Sequence, residues 1–320
     1  MAAIALLFPG QGAQAVGMGR DLAAGFPAAR DAFAQAGNET GLEMERLCFE
    51  GPVEELSRSD VTQPAILTVS VAALRALVEL TGGLPKPVAA AGLSLGEYTA
   101  LVAAGALEFG EAARIVHLRG QYMQEACEAN PGTMYSILGL ADEQVEQACE
   151  RARERAGGVW PANYNCPGQL VISGEEEACQ VAAELCAQAG ARRALRLNVA
   201  GAFHTELMRP AAERMKDVLA GAAIAPAACP VVSNETARPV ADPEEIRRLL
   251  VEQITRPVLW HASMRWLVAQ GVGEFYEVGP GRVLQGLLKR IAPEVSCFTV
   301  GSAQEVQAAT GRLTMGRKDR

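Results

Sequence analysis

Histidine is scarce in this chain: three among 320 residues. Any chemistry that needs an imidazole base therefore has only His117, His204 and His261 to draw on. Paired cysteines are missing as well. The eight cysteines form no Cys-x-x-Cys pair and have no histidine at zinc-finger spacing, so they read as reduced small hydrophobes rather than metal ligands or a disulfide framework. Positive charge is in deficit, with 29 Lys and Arg against 37 Asp and Glu, and a net charge of −8 argues against broad nucleic-acid binding. No apolar run reaches the ~18 residues of a membrane span, and the N-terminus lacks the basic start and cleavage pattern of a signal peptide. A cytoplasmic protein is the expectation. With 49% hydrophobic and 21% charged residues the chain has the composition of a globular protein, long enough for a large body with a second unit attached or inserted.

The most specific local feature is Gly92-Leu93-Ser94-Leu95-Gly96, between the small apolar run Val88-Ala89-Ala90-Ala91 and a helical stretch from Glu97 to Ala104. A strand that turns sharply into a helix exposes a serine at its tip, the arrangement of a nucleophile elbow. The start of the following helix also aims free N–H groups at whatever the serine attacks.

Around the elbow the pattern alternates strand and helix. Ile4 to Phe8 reads as a strand broken by Pro9-Gly10-Gln11-Gly12, Gln63 to Leu80 as a helix, and Gly82 to Pro87 as a turn. The fold class expected is α/β: a hydrolase-like core with a mostly parallel sheet flanked by helices. Between 131 and 197 the order becomes strand (Thr133 to Leu140), helix (Asp142 to Arg155), strand (Val159 to Asn163), strand (Gln169 to Ser173), helix (Glu175 to Gln188) and strand (Arg192 to Leu197). That is the split βαβ order of a ferredoxin-like unit, so residues 131–197 are expected to be a small subdomain inserted into a large one formed by 1–130 and 198–320. Later elements are a helix from about Thr205 to Leu219, a strand at Val231-Val232-Ser233, helices across 243 to 270, a strand from Glu274 to Val278 and a helix from Arg282 to Ile291. Arg312 to Arg320 reads as a frayed basic tail.

Ser94 needs a base. His117 and Arg119 are two apart on the helical run Ala112 to Ala126, so only one of them can line a given site. His261 lies early in a helix, where a solvated or hydrogen-bonded structural role suits it. His204, in the loop Gly201-Ala202-Phe203-His204-Thr205 just before a helix, is the base favoured by position.

Seven motifs, in order from residue 8 to about 291, then resemble the malonyl-CoA:acyl-carrier-protein transacylase family. They are Phe8-Pro9-Gly10-Gln11-Gly12, Gly92 to Tyr98, Leu118-Arg119-Gly120 with Met123-Gln124, Asn163-Tyr164-Asn165 with Pro167-Gly168-Gln169, Ala202-Phe203-His204, Gln253 through Pro257, and Gly279-Pro280-Gly281. The resemblance implies Ser94 as nucleophile, His204 as base oriented by a main-chain carbonyl near Gln253, and backbone N–H groups of Gln11 and Leu95 facing the oxyanion. It implies Arg119 as the clamp for a malonyl carboxylate, with Gln253, Met123, Phe203, Gln63 and Asn163 lining the substrate site. Ala202-Phe203 resembles the malonyl-selective type, since methylmalonyl-selective relatives usually carry tyrosine and serine there. Leu93 departs from the family, which often has histidine before the nucleophile.

Malonyl-CoA as substrate, acyl carrier protein as transient partner and no bound cofactor or metal follow from the same resemblance; a monomeric chain is the expectation, with the sequence itself silent on oligomeric state. Carrier docking would need local basic patches, for which Arg192-Arg193, Lys289-Arg290 and the basic tail are candidates. Two other readings compete. A serine esterase or thioesterase of the α/β-hydrolase type shares the elbow but explains neither Arg119 nor the inserted unit, and the acid such a fold places before a late histidine has no convincing candidate. A catalytically silent carrier-binding scaffold does not account for Ser94, His204 and Arg119 occurring together. Whether the pathway is fatty-acid or polyketide synthesis stays open.

Overall fold

The computed structural model describes residues 3–83 and 87–318. Two sheets organise them. The larger has six strands in the order Ser296–Val300, Val272–Val278, Ala3–Phe8, Ala89–Gly92, Val231–Val232 and Pro239–Val240, all neighbours parallel except the last pair. Strand Ala3–Phe8 shows why it is central: Ile4, Leu6 and Phe8 enter one buried cluster, while Ala5 and Leu7 enter another on the opposite face. An unbroken apolar run is what a parallel strand covered by helices on both faces requires.

The carboxyl ends of three neighbouring strands, Phe8, Gly92 and Val232, lie side by side. The loops that follow them therefore converge at one edge of the sheet, where ligand sites of open α/β sheets form.

The second sheet is antiparallel, in the order Val159–Cys166, Gln169–Gly174, Thr133–Leu138, Arg193–Arg196. This is the strand order of a split βαβ unit. Helices Asp142–Ala156 and Glu176–Gln188 cover one face through Ile137, Val145, Cys149, Leu170, Ile172 and Cys186. Side chains of the other face, Met134, Ala162 and Val171, belong to the main core. The segment before helix Trp260–Ala269 ties onto the small sheet through main-chain hydrogen bonds from Val258 N–H to Ala162 O (2.8 Å) and from Tyr164 N–H to Val258 O (2.9 Å). Arg290 adds donations to Gln169 Oε1 at 2.6 Å and to the Pro167 carbonyl at 2.8 Å.

Several elements differ from the sequence reading. Helix Ser59–Thr81 is longer than expected, and an 18-residue window of it has mean hydropathy 1.6, long and apolar enough by composition to cross a membrane. However, 83% of that window is buried inside the protein, against helices Pro27–Thr40 and Phe109–Ala129, so it is a core helix. The single helix expected from Thr205 starts as a 3₁₀ turn, Glu206–Met208, and becomes α-helical at Arg209–Ala220, where Pro210 occupies the first turn. Proline suits that place because its missing N–H would have had no intrahelical partner. Strand Ser296–Val300 was not anticipated. The frayed tail is also corrected: Ala303–Lys318 is a helix seated on the core through Val306, Ala309 and Leu313, with 319 and 320 outside the described residues. Of the turn Gly82 to Pro87, residues 84–86 lie outside them too.

Candidate active site

Ser94 stands between strand Ala89–Gly92 and helix Gly96–Ala103 with φ 52°, in the left-handed region. The flanking glycines are there for space. A Cβ on Gly92 would sit 1.9 Å from the Gly96 carbonyl carbon and oxygen, and one on Gly96 would sit 2.3 Å from Phe8 O. No larger residue fits a bend that tight. Asn234, in the loop after Val231–Val232, holds the turn from the side: its Oδ1 accepts from Ser94 N–H at 2.6 Å and its Nδ2 donates to Gly92 O at 2.7 Å. The loop after the first strand abuts the elbow, with Leu93 N–H donating to Phe8 O at 3.0 Å.

His204, only 4% exposed, lies 2.9 Å from Ser94 Oγ through Nε2, and its Nδ1 lies 2.9 Å from the main-chain carbonyl of Gln253. A carbonyl only accepts, so Nδ1 carries the hydrogen and Nε2 is left with a lone pair for the serine hydroxyl. Like Ser94, His204 has a positive φ, 61°. Burial, reinforced by the positive charge of Arg119 and opposed by the Gln253 and Arg256 carbonyls, lowers its pKa to about 4. The imidazole is thus neutral, and able to accept a proton, across the neutral range.

Arg119 projects from helix Phe109–Ala129 and is 1% exposed. One guanidinium nitrogen donates to Gln63 Oε1 (2.7 Å); the other donates to Gln253 Oε1 (3.0 Å) and Ser94 Oγ (3.2 Å). The Tyr98 ring lies 5.7 Å from the guanidinium carbon. These partners are amides, a hydroxyl and a ring, so the charge has no carboxylate against it. Gln63 also meets Met123 Sδ at 3.6 Å, and Met123 and Phe203 are both buried.

Of the residues singled out in the sequence, Ser94, His204, Arg119, Gln253, Gln63 and Met123 are thus linked in one constellation, with Phe203 next to the base. Gln11 and Leu95 flank it on the two loops, and neither main-chain N–H meets a protein acceptor among the described residues. Asn163 lies apart, on the seam between the sheets, where it pairs with Val258. His117 faces away: its Nδ1 contacts the Asp60 carbonyl at 2.8 Å and its Nε2 contacts Gln121 at 2.9 Å. His261 is partly buried, and desolvation lowers its pKa against the opposing pull of Asp142. Arg192 and Arg193 are exposed.

Two site residues were not singled out in the sequence. Asn234 and Glu97 enter the site only through the fold. Glu97 is 2% exposed, its Oε2 accepting from Asn234 N–H (2.9 Å) and Gln253 Nε2 (2.8 Å). The signal in the sequence is a single carboxylate within the largely apolar stretch Gly96 to Ala104, and in the structure every residue from Gly96 to Leu101 is buried. Among the described residues no group of three His, Cys, Asp or Glu is placed to hold a metal ion. All eight cysteines are free thiols.

Comparison with known proteins places this geometry in context. The family described as acyl transferase domain matches residues 5–315. A malonyl CoA-acyl carrier protein transacylase of Bacillus subtilis is 43% identical over 313 residues, 98% of each chain, and that of Escherichia coli K12 is 43% identical over 309 residues, 97% of this chain and 99% of that one. Among solved structures, a malonyl-transacylase in complex with a type II PKS acyl-carrier protein superposes with TM-score 0.94 at 42% identity, covering 97% of this chain and 100% of that one. The Coxiella burnetii malonyl CoA-acyl carrier protein transacylase gives 0.94 at 39% identity, over 98% of both chains.

Proposed function

The chain belongs to the acyl transferase family, among the malonyl CoA-acyl carrier protein transacylases, and from that premise we propose how its site works. The enzyme transfers the malonyl group of malonyl-CoA to the thiol of acyl carrier protein in two half-reactions. In the first, Ser94 Oγ attacks the thioester carbonyl carbon as its proton passes to His204 Nε2. The oxyanion is met by the N–H groups of Gln11 and Leu95, each such donor being worth about 3 kcal/mol in the transition state. The carbon–sulfur bond breaks and the CoA thiolate takes the proton from His204, leaving a malonyl-serine ester. In the second half-reaction the carrier thiol gives its proton to His204 and attacks the ester, and Ser94 Oγ leaves and recovers the proton.

One observation carries this reading: Ser94 Oγ lies 2.9 Å from His204 Nε2 and 3.2 Å from Arg119. A neutral base and a fixed cation thus meet at one hydroxyl. When the serine is acylated, the guanidinium turns from Oγ to the free carboxylate of the malonyl group, which it holds with two charge-assisted hydrogen bonds. An acetyl group offers nothing for that contact. Phe203, buried beside the base, fills the space an α-methyl would need and so favours malonyl over methylmalonyl by about 1 to 3 kcal/mol.

Residues 131–197 form the small unit and 1–130 with 198–320 the large one. The site is assembled from a single chain, so a monomer suffices, and the enzyme works in the cytoplasm without a bound cofactor. The test is to mix the protein with malonyl-, methylmalonyl- and acetyl-CoA and locate covalent adducts by mass spectrometry. A malonyl adduct on Ser94, absent from Ser94→Ala and discharged faster by a carrier thiol than by water, is the expected result. Rapid hydrolysis with no transfer would return the site to the esterase reading.

A further inference from the structure

One buried group at the site has no part in the chemistry above. The Glu97 carboxyl group makes no hydrogen bond to the Ser94 hydroxyl, the His204 ring or the guanidinium, yet its Oε2 receives two hydrogen bonds from the two loops that surround Ser94. One comes from Asn234, whose side chain grips the elbow; the other comes from the side-chain amide of Gln253.

The Gln253 amide has two ends with opposite demands. Its Nε2 donates to Glu97 Oε2 (2.8 Å) and to the Ser94 carbonyl (3.1 Å), and its Oε1 accepts from Arg119 (3.0 Å). Turned over, it would set an NH₂ against the guanidinium and an oxygen against two acceptors, and no hydrogen bond would survive on either side. The acceptor at Oε2, nearer than the Ser94 carbonyl that asks the same of Nε2, therefore helps set which way the amide lies, and the amide sets where half of Arg119 is held. Gln253 also supplies the carbonyl that orients His204, so the same residue joins clamp and base.

The geometry points to Glu97 as a positioning residue for acyl-group selection: together with the Ser94 carbonyl it anchors the NH₂ end of the Gln253 amide and thereby the seat of the Arg119 guanidinium. The inference rests on the reading of Arg119 as carboxylate clamp. It also explains why a carboxyl group is tolerated in so apolar a place. Desolvation raises its pKa to about 7, while the Asn234 N–H, the Gln253 amide and the charge of Arg119 pull the other way. The proton can occupy the other oxygen without disturbing Oε2 as an acceptor.

The test is the ratio of malonyl to acetyl transfer, each measured as kcat/KM, because a residue that merely supports the fold would lower both together. Glu97→Met keeps the shape and removes the acceptor. It is expected to lower the ratio about tenfold, mostly through KM for malonyl-CoA, over and above any loss that both substrates share, as loss of a charge-assisted hydrogen bond predicts. An unchanged ratio overturns the proposal, whether or not both rates fall. Should that variant fail to fold, a cycle of Glu97→Gln and Gln253→Ala decides. Glu97→Gln alone is expected to lower the ratio about threefold, since a neutral acceptor holds the amide less firmly, and to add nothing once Gln253 is alanine. A further threefold loss in the double variant would show that Glu97 acts by another route. Arg119→Ala separates the two levels of inference: if it leaves the ratio unchanged, the clamp itself is wrong; if it lowers the ratio and the Glu97 variants do not, only the positioning role falls.

Discussion

The two halves of this molecule are built for different work. The small four-stranded half buries a cluster of aliphatic, alanine and cysteine side chains under two helices, and burial pushes up its thiols at Cys149, Cys179 and Cys186. The six-stranded half buries polar groups deliberately: Arg119, His204, Gln63, Gln253, Glu97 and Asn234 are all nearly inaccessible, and all are tied to one another or to Ser94. A buried polar network is tolerable only when its members satisfy one another. The contrast teaches that the small half is held by apolar packing, while the polar groups gather at one edge of the large sheet, Ser94 and Asn234 from loops after its strands and Gln63 and Arg119 from helices Ser59–Thr81 and Phe109–Ala129.

The comparison breaks most easily at the nucleophile. Ser94→Ala should abolish the covalent adduct and reduce transfer by at least about a thousandfold, measured by adduct mass and by carrier loading. Arg119→Ala should reduce malonyl kcat/KM about a hundredfold while acetyl transfer is retained or improves, since only the charged substrate loses its contact. Equal losses would remove Arg119 from substrate selection. Ile172→Ala, in the core of the small half, should cost about 2 to 5 kcal/mol of stability by calorimetry yet leave kcat of the folded enzyme unchanged well below its melting temperature. A large fall in kcat would mean the small half takes part in the chemistry.

The acid limb sharpens the contrast further. His204 acts as a base only when neutral, so its contribution to the acylation rate should be flat down to about pH 4 and fall about tenfold per pH unit below that. In stability, His204 and Glu97 oppose each other. His204 binds its proton at about 6.5 when unfolded but at about 4 when folded, so it costs stability as pH falls through that window. Glu97 is displaced from 4.5 up to about 7, so its folded form holds a proton that the unfolded chain has released, and stability is lost as pH rises between those values. Glu97→Gln should remove the second trend alone in pH-dependent unfolding. The smallest effect concerns docking: replacing Arg192 and Arg193 with alanine should raise the apparent KM for carrier only a few-fold, and only at low salt.

Local pattern revealed much of this fold, because strands of alternating pleat and helices of regular spacing announce themselves along the chain. The split βαβ unit was visible for that reason, and so was the elbow, whose glycines leave no room for a Cβ: one would fall 1.9 Å from backbone at Gly92 and 2.3 Å at Gly96. What stayed hidden depends on distant partners. The short helices Arg20–Gly25, Met44–Phe49 and Val53–Leu56 have too few turns to show a face. Strand Ser296–Val300 acquires meaning only beside Val272–Val278. Asn234 and Glu97 meet each other across 137 positions, and nothing in either neighbourhood marks them as partners. His204 was favoured by its loop, yet its dependence on the Gln253 carbonyl, 49 positions away, is a property of the closed fold.

The left-handed backbone shared by Ser94 and His204 has a consequence of its own. Two side chains with a Cβ are held where glycine would rest more comfortably, each at a cost of about 1 kcal/mol or more. Catalytic competence here is subtracted from endurance. Ser94→Gly should therefore melt above Ser94→Ala, the two inactive proteins differing only in whether the elbow is allowed to relax.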